Sequence, residues 1–414
     1  MPVRLPPGRS VKFRGNGVAG GRSVDASVFA RFRLIRRMFS KGKWIFSMAQ
    51  ILDVAALRDE LHEMPELGMA TEKTHDYIVN KLEALGIETH AHFGGTNGVV
   101  GYIRGEQPGP TLMIRADMDA LPFVIDGQAC VLHACGHDGH TAMLLAAAAR
   151  MVGEVKKGAM KLVFQPGEET LEGAQALIEA GVMDDVDYVL GAHIRPVQDL
   201  KQGELCPAVK HAASCTCFVT VEGVAAHAAR PHIARNAIDV GAAIVQAVQS
   251  VWLNPNESWS AKCTQFHADE GATNSIPSTA NLTFDCRTET NAAMESYLAQ
   301  MTAAAEHTAL AYGAKATVRY GLSCPAAEYD EEFVTEVSEA IVRVAGQEAL
   351  AQPCGGGGED FHHYKLSKPS VKAAYFGVGV GATPGLHNVN MSFDSKQLQS
   401  GTDVFVDIAK KLLS

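Results

Sequence analysis

The sequence predicts an α/β fold in which a mostly parallel sheet, covered by helices, is interrupted by an inserted βαββαβ unit of the ferredoxin-like kind. Three observations predict it. Apolar runs of strand length at 98–103, 111–116, 161–165 and 188–192, with a helical run at 141–152 after the second, give the strand-helix alternation of a parallel sheet buried on both faces. From Cys215 the rhythm becomes strand, helix, strand, strand, helix, strand, ending near Tyr320. After Pro325 the helix-rich pattern returns, so 210–321 reads as an insertion into a domain formed by 48–209 and 322–414. The 414 residues suit two such units, because single cores stop growing near about 250–300 residues.

Residues 1–47 hold eight Arg and three Lys against Asp25, a net of +10 that leaves −20 on the remainder. Rich in Gly, Arg and Pro and without helical or strand period, this basic leader is expected to be disordered. Arg36-Arg37-Met38-Phe39-Ser40-Lys41 is like a twin-arginine export signal. Such a signal needs a long apolar segment next, and Ile45-Phe46-Ser47-Met48 leads instead to a charged helix. Sparse aromatics and an acidic body argue against a nucleic-acid partner, and no run of about 18 apolar residues offers a membrane span. Nine cysteines without a framework's spacing suit reduced thiols and a cytoplasmic protein.

Taken in order, Asp53 is placed to cap a helix through Leu61. Thr71 opens a second whose Tyr77, Ile78, Leu82 and Leu85 fall at helical spacing before Gly86 stops it. In the insertion, strands are expected at 215–221, 263–267, 279–287 and 315–320, and helices at 234–252 and 291–312. The returning chain reads as a helix at 331–344, a strand at 373–378, a loop with His387 and a closing helix at 397–413. Gly355-Gly356-Gly357-Gly358 lacks the following Gly-Lys-Ser/Thr of a phosphate cradle, so it reads as a loop that lets backbone approach a substrate.

The chemistry centres on His133-Ala134-Cys135-Gly136-His137-Asp138-Gly139-His140. Imidazole and thiolate are the side chains that best hold a borderline-soft divalent cation. One buried histidine is ordinarily a packing residue; three with a cysteine, between a strand and a helix, are a candidate metal site at the edge where open α/β sheets place their sites. Other expected strands deliver Asp117 and Asp119, then Gln165-Pro166-Gly167-Glu168-Glu169, then His193 to the same edge. One glutamate of the pair can bind metal while the other takes a proton from water.

Arg115-Ala116-Asp117-Met118-Asp119-Ala120-Leu121-Pro122, the His133–His140 cluster, the Gln165–Glu169 turn, Gly223-Val224-Ala225-Ala226-His227-Ala228-Ala229-Arg230-Pro231-His232 and Gly358-Glu359-Asp360-Phe361 occur in that order. Through them, residues 50–414 resemble the aminoacylase and carboxypeptidase-type co-catalytic metallohydrolases. The branch is that of hippurate hydrolase and the auxin-conjugate (indole-acetyl amino acid) hydrolases. The resemblance implies two divalent ions per subunit, zinc or manganese, bridged by Cys135 with His137, Glu169, His193 and His387 completing the shell. It implies Glu168 as general base, Asp119 as the carboxylate orienting a ligand, and Asp117 where other branches carry a histidine ligand. Asn274 and Arg287 would hold the substrate's amino-acid carboxylate beside the Gly358 loop. The insertion would be a lid and dimerisation domain, with His227 reaching the partner's site in a homodimer. The short segment between Pro122 and His133 is similar to that of amidohydrolases of the AmhX type and would alter the mouth of the pocket.

The implied reaction is metal-assisted hydrolysis of the amide bond of an N-acyl amino acid or related small amide. A dipeptidase or carboxypeptidase would use the same ligand set. A metal-bound binding protein without catalysis would keep the ligands but has no need of a base at position 168.

Overall fold

The computed structural model describes residues 52–414; the basic leader, with the expectation of disorder placed on it, lies outside the described residues. Helix α1, Val54–His62, starts at Asp53, whose carboxylate accepts from the N–H groups of Ala55 and Ala56. Helix α2, Glu72–Ala84, is followed by Gly86 at φ +71°. Next come β1 (Glu88–Phe93), β2 (Gly98–Arg104), β3 (Gln107–Asp117), a hairpin of β4 (Leu121–Ile125) and β5 (Gln128–Leu132), and α3 (His137–Met151). Strand β6 (Lys157–Gln165), α4 (Gly173–Glu179), β7 (Tyr188–Pro196) and the short β8 (Leu205–Cys206) and β9 (Val209–Lys210) lead into the insertion.

The main sheet has seven strands in the order β1-β2-β6-β3-β7-β17-β8, where β17 is Lys372–Ala382. Its centre, β6-β3-β7-β17, is parallel. The expected largely parallel sheet is thereby corrected at its edges, where β1, β2 and β8 pair antiparallel. Strand β1 escapes a hydrophobicity-based reading because almost all of it faces solvent or is half-buried. Alternation along β3 serves both faces: Leu112 and Ile114 join the core beneath α1, α3 and the closing helix, and Met113 joins the core beneath α4.

The insertion forms a second sheet, β12-β14-β10-β15, all antiparallel, with its own core. In chain order it runs β10 (Ala213–Glu222), β11 (Ala226–His227), α5 (Ala237–Gln249), β12 (Trp259–His267), β13 (Ser275–Ile276), β14 (Thr279–Thr288), α6 (Asn291–Ala311) and β15 (Lys315–Cys324). Cys215, Cys217, Val219 and Val221 alternate inward along β10, the two-residue period that singled it out as a strand. The remaining elements are α7 (Glu331–Ala345), β16 (Cys354–Gly355), α8 (His362–Ser367), β17 and α9 (Leu398–Leu413). No helix among the described residues is long and apolar enough to cross a membrane.

Two boundaries matter for the site. Helix α3 begins at His137 rather than near Thr141, so His137 and His140 sit in its first turn. Strand β7 continues to Pro196, so His193 lies inside the strand rather than beyond its end, fixed by sheet pairing opposite Gly377.

Candidate metal centre

Gly136 makes the turn from β5 into α3. It adopts φ +88°, and a Cβ there would stand 2.2 Å from Ile194 Cδ1. Only a residue without a side chain lets the chain pass so close to β7 and still present Cys135 and His137 on either side. Gly136→Ala is therefore expected to cost about 1–3 kcal/mol through strain and overpacking. Denaturant melts of the variant against the parent check this, with unchanged stability as the contrary result.

Around this turn the structure gathers several groups of ligand atoms, and two of them share Cys135. Cys135, His137 and His193 form one, Cys135, Glu169 and His387 the other, each with its atoms within 4.8 Å of one another. Cys135 belongs to both: its Sγ is 3.4 Å from His193 Nε2 and 3.3 Å from His387 Nε2. His387 adopts φ +59°, a left-handed conformation uncommon for histidine, and its Nε2 lies 3.5 Å from Glu169 Oε1. His193 uses Nδ1 to donate to the Ile194 carbonyl, which leaves Nε2 free to face Cys135.

Asp119 ties these pieces together. Its Oδ1 is 3.3 Å from His137 Nδ1 and accepts from the N–H of Glu168, while Oδ2 accepts from the N–H of Glu169. One carboxylate thus orients an imidazole and holds the Glu168-Glu169 turn. Asp117 sits 2.6 Å from His140 Nδ1, and His140 Nε2 accepts from the Ile194 N–H. His133, counted in the sequence cluster, joins no ligand group among the described residues.

Behind the cluster lies a buried polar network that sequence reasoning did not assign. Arg115 Nη1 donates to Asp117, Nη2 to Asp360 and Nε to Gln165, at 2.6, 2.6 and 2.9 Å. Gln165 donates to Asp360, and Tyr375 to Glu359 at 2.6 Å. Its signal was an arginine and a glutamine inside apolar strands, where a charge or amide needs buried partners. Glu359 and Asp360 approach Glu168 within 4.8 Å. Burial, then the negative charges of Glu359 and Asp360, hold the Glu168 carboxyl well above its usual range. Burial likewise pushes Asp360 up to about 8, despite Arg115.

The donor set fits cations. His137 Nε2 and Glu169 Oε1 are buried without any hydrogen-bond partner, although they are only 3.8 Å apart. The Asp117, Cys135 and Asp119 side chains overcome burial and hold His137 well above the ordinary histidine range, so the pocket demands positive charge. Thiolate, imidazole and carboxylate in two groups sharing one sulfur suit two divalent ions.

The other residues singled out from the sequence lie elsewhere. His227, on β11, pairs with Ser275 of β13; its Nδ1 accepts from the Ala229 N–H, which places the ring proton on Nε2, 3.2 Å from the Asn274 side-chain amide. These two exposed residues form no hydrogen bond with the cluster. Arg287 is held by Asp285 through two hydrogen bonds and lines a cavity of about 640 Å³ with His211, Trp259 and Tyr329; none of the metal-ligand candidates lines it. Arg287, Ser214 and Cys324 stand side by side across β14, β10 and β15. A Cβ on Gly358 would come within 3.2 Å of Cys324 Sγ and 3.4 Å of Ser214 Oγ, so the tetraglycine loop packs on that row.

A parallel-centred α/β sheet whose carboxyl edge brings together two groups of possible metal ligands sharing Cys135 is an arrangement suited to a two-metal α/β protein. The chain belongs to peptidase family M20/M25/M40, whose pattern matches residues 113–411. It is 30% identical to the N-acetylcysteine deacetylase of Bacillus subtilis over 372 residues, covering 85% of this chain and 95% of that one. It is also 30% identical to the hippurate hydrolase of Campylobacter jejuni, covering 88% and 98%. The crystal structure of the Bacillus subtilis YXEP protein, described as a dinuclear metal binding peptidase of the M20 family, superposes with a TM-score of 0.73 at 28% identity. It covers 87% of this chain and 97% of that one.

Proposed function

We propose that the protein is a two-metal amidohydrolase that cleaves the amide bond of N-acyl amino acids or related small amide conjugates. The observation that carries this reading is the membership of Cys135 in two three-ligand groups, with the carboxyl of Glu168 beside them and outside the Cys135 groups. Two divalent ions, when bound, polarise a carbonyl and acidify water. Cys135, His137, Glu169, His193 and His387 would hold them, and their mixed nitrogen, sulfur and oxygen donors suit zinc or manganese.

Glu168 takes the proton of the attacking water and returns it to the leaving nitrogen as the C–N bond breaks, which yields a carboxylate and an amine. A carboxyl raised by burial and by two neighbouring acids is suited to hold that proton between the steps. Asp119 keeps His137 and the glutamate turn in register. Asn274, Arg287 and the Gly358 loop would hold the substrate's own carboxylate end. Nine free cysteines suit a reducing, cytoplasmic setting.

A panel of N-acetyl and N-benzoyl amino acids against unblocked dipeptides, with zinc or manganese supplied, tests the substrate class. Faster hydrolysis of the blocked compounds is expected; faster cleavage of free dipeptides would replace this reading with a dipeptidase.

The second sheet serves in this reading as lid and dimerisation domain, because β12 and β15 leave unpaired edges that a second copy can extend. His227, remote from the hydrogen bonds of its own chain's cluster, would then donate to the developing oxyanion in the partner, worth about 2.7–4 kcal/mol. Mixing inactive His227→Ala with inactive Glu168→Gln subunits is expected to restore part of the activity. Mixtures that exchange subunits and stay inactive would exclude action in trans.

A further inference from the structure

Two cysteines that the metal centre does not use meet at the root of the inserted sheet. Cys206 is fully buried at the end of β8, the edge strand of the main sheet, opposite Gly377 of β17. Cys354 is half-buried in β16, which pairs in parallel with β9, the strand just before the insertion. Their Sγ atoms lie 3.3 Å apart. The hydrogen bond from Cys354 outweighs burial and brings Cys206 down to about 7, while the same contact and then burial push Cys354 up, so the pair shares one proton near neutral pH with the charge on Cys206. The other close sulfur pairs, Cys215 with Cys217 and Cys217 with Cys286, are 3.9 and 3.8 Å apart and sealed inside the second core.

We propose that Cys206 and Cys354 form a reversible disulfide when the protein meets a low-molecular-weight disulfide, and that this bond fastens the root of the inserted sheet to the main one. Cys354, the more accessible of the two, passes its proton to Cys206 as its sulfur attacks one sulfur of the reagent; Cys206 yields that proton to the departing sulfur, which leaves as a thiol, and a mixed disulfide remains on Cys354. The Cys206 thiolate then attacks Cys354 Sγ and expels the second sulfur as a thiolate. Two protein sulfurs are oxidised, the reagent's disulfide is reduced to a thiol and a thiolate, and the pair's one proton leaves on the thiol.

The sulfurs must close by about 1.3 Å to reach a bond length of roughly 2.0 Å. The chain can make that adjustment. Cys354 lies in a two-residue strand followed by Gly355-Gly356-Gly357-Gly358, with Gly356 at φ +126° and Gly357 at φ +76°. The consequence reaches both functional halves. The covalent loop from 206 to 354 contains the whole second sheet, and β16 leads directly to Gly358, Glu359 and Asp360. Arg195, two residues beyond His193, also donates to the Gly355 carbonyl at 2.9 Å. A disulfide ties this junction, which adjoins both the inserted sheet and the strand that carries His193, into one covalent loop.

The test uses the full-length, metal-loaded protein treated with glutathione disulfide. Titratable thiols in the denatured protein are expected to fall from nine to seven, with Cys206 and Cys354 recovered as one linked peptide. The melting temperature is expected to rise by roughly 5 °C, the scale of a bridge closing a long loop. Turnover is expected to drop, and dithiothreitol to reverse every change. Cys354→Ser, or Cys354→Ala should the serine fold poorly, is expected to abolish the response. Retention of nine thiols, a stable glutathione adduct on Cys354 without the link, or a link that leaves turnover and melting unchanged would overturn the proposal. The thiol count and peptide map do not depend on the amidohydrolase reading.

Discussion

Replacing Glu168 with glutamine is expected to lower turnover by at least about 10²-fold while metal content stays near that of the parent, the scale of losing a general acid-base group. Glutamine keeps the volume and the backbone N–H that Asp119 Oδ1 accepts, so the Glu168-Glu169 turn has no reason to shift. It removes only the capacity to take a proton. Neither of the two groups that share Cys135 includes Glu168, but its carboxyl also groups with His137 and Glu169, so the metal content of the variant is what separates a lost base from a lost ligand. Single-turnover rates and metal analysis on the same preparation check this; parent-like rate with parent-like metal would remove Glu168 from the chemistry.

Cys135→Ser is expected to reduce both metal occupancy and turnover. Loss of metal affinity should exceed the about 10–100-fold typical of groups that merely support a ligand, because a shared sulfur contributes to two sites at once. Without cations, burial pushes the Cys135 thiol upward, so the protein alone does not favour its thiolate. Cation charge supplies that stabilisation. A hydroxyl in its place is a poorer, harder donor that resists deprotonation. Because metal bound only to the native state stabilises it by mass action, the variant is also expected to melt lower in metal-containing buffer but not in chelator. Equal metal content in variant and parent would take Cys135 out of the ligand set.

What was legible in the sequence follows from the range of the interactions. Leu112-Met113-Ile114 reads as a strand buried on both faces because it serves two cores, and alternation along β10 reads as one face buried. The ligand types stood out because histidine, cysteine and acids clustered where strands were expected to end. The start of α3 was missed because Gly136 and Gly139 flank His137 like loop residues, and the left-handed turn at Gly136 has no periodicity to detect. The extent of β7 was missed because Arg195 looks like a strand terminator. In the fold it stays inside, held by Asp199 and the Gly355 carbonyl. The network around Arg115 was out of reach because its partner Asp360 is 245 residues away, and Cys206 and Cys354 are 148 apart. Such pairings exist only once the chain is folded.

The most direct measurement is the rate of N-acetyl amino acid hydrolysis as zinc or manganese is returned to chelator-stripped protein, with bound metal counted at each addition. Activity is expected to rise from near zero and reach its plateau at two equivalents per chain, with Glu168→Gln binding the same two equivalents and remaining inactive. Full activity in the stripped protein, or a plateau at one equivalent, would contradict a two-metal centre built on Cys135.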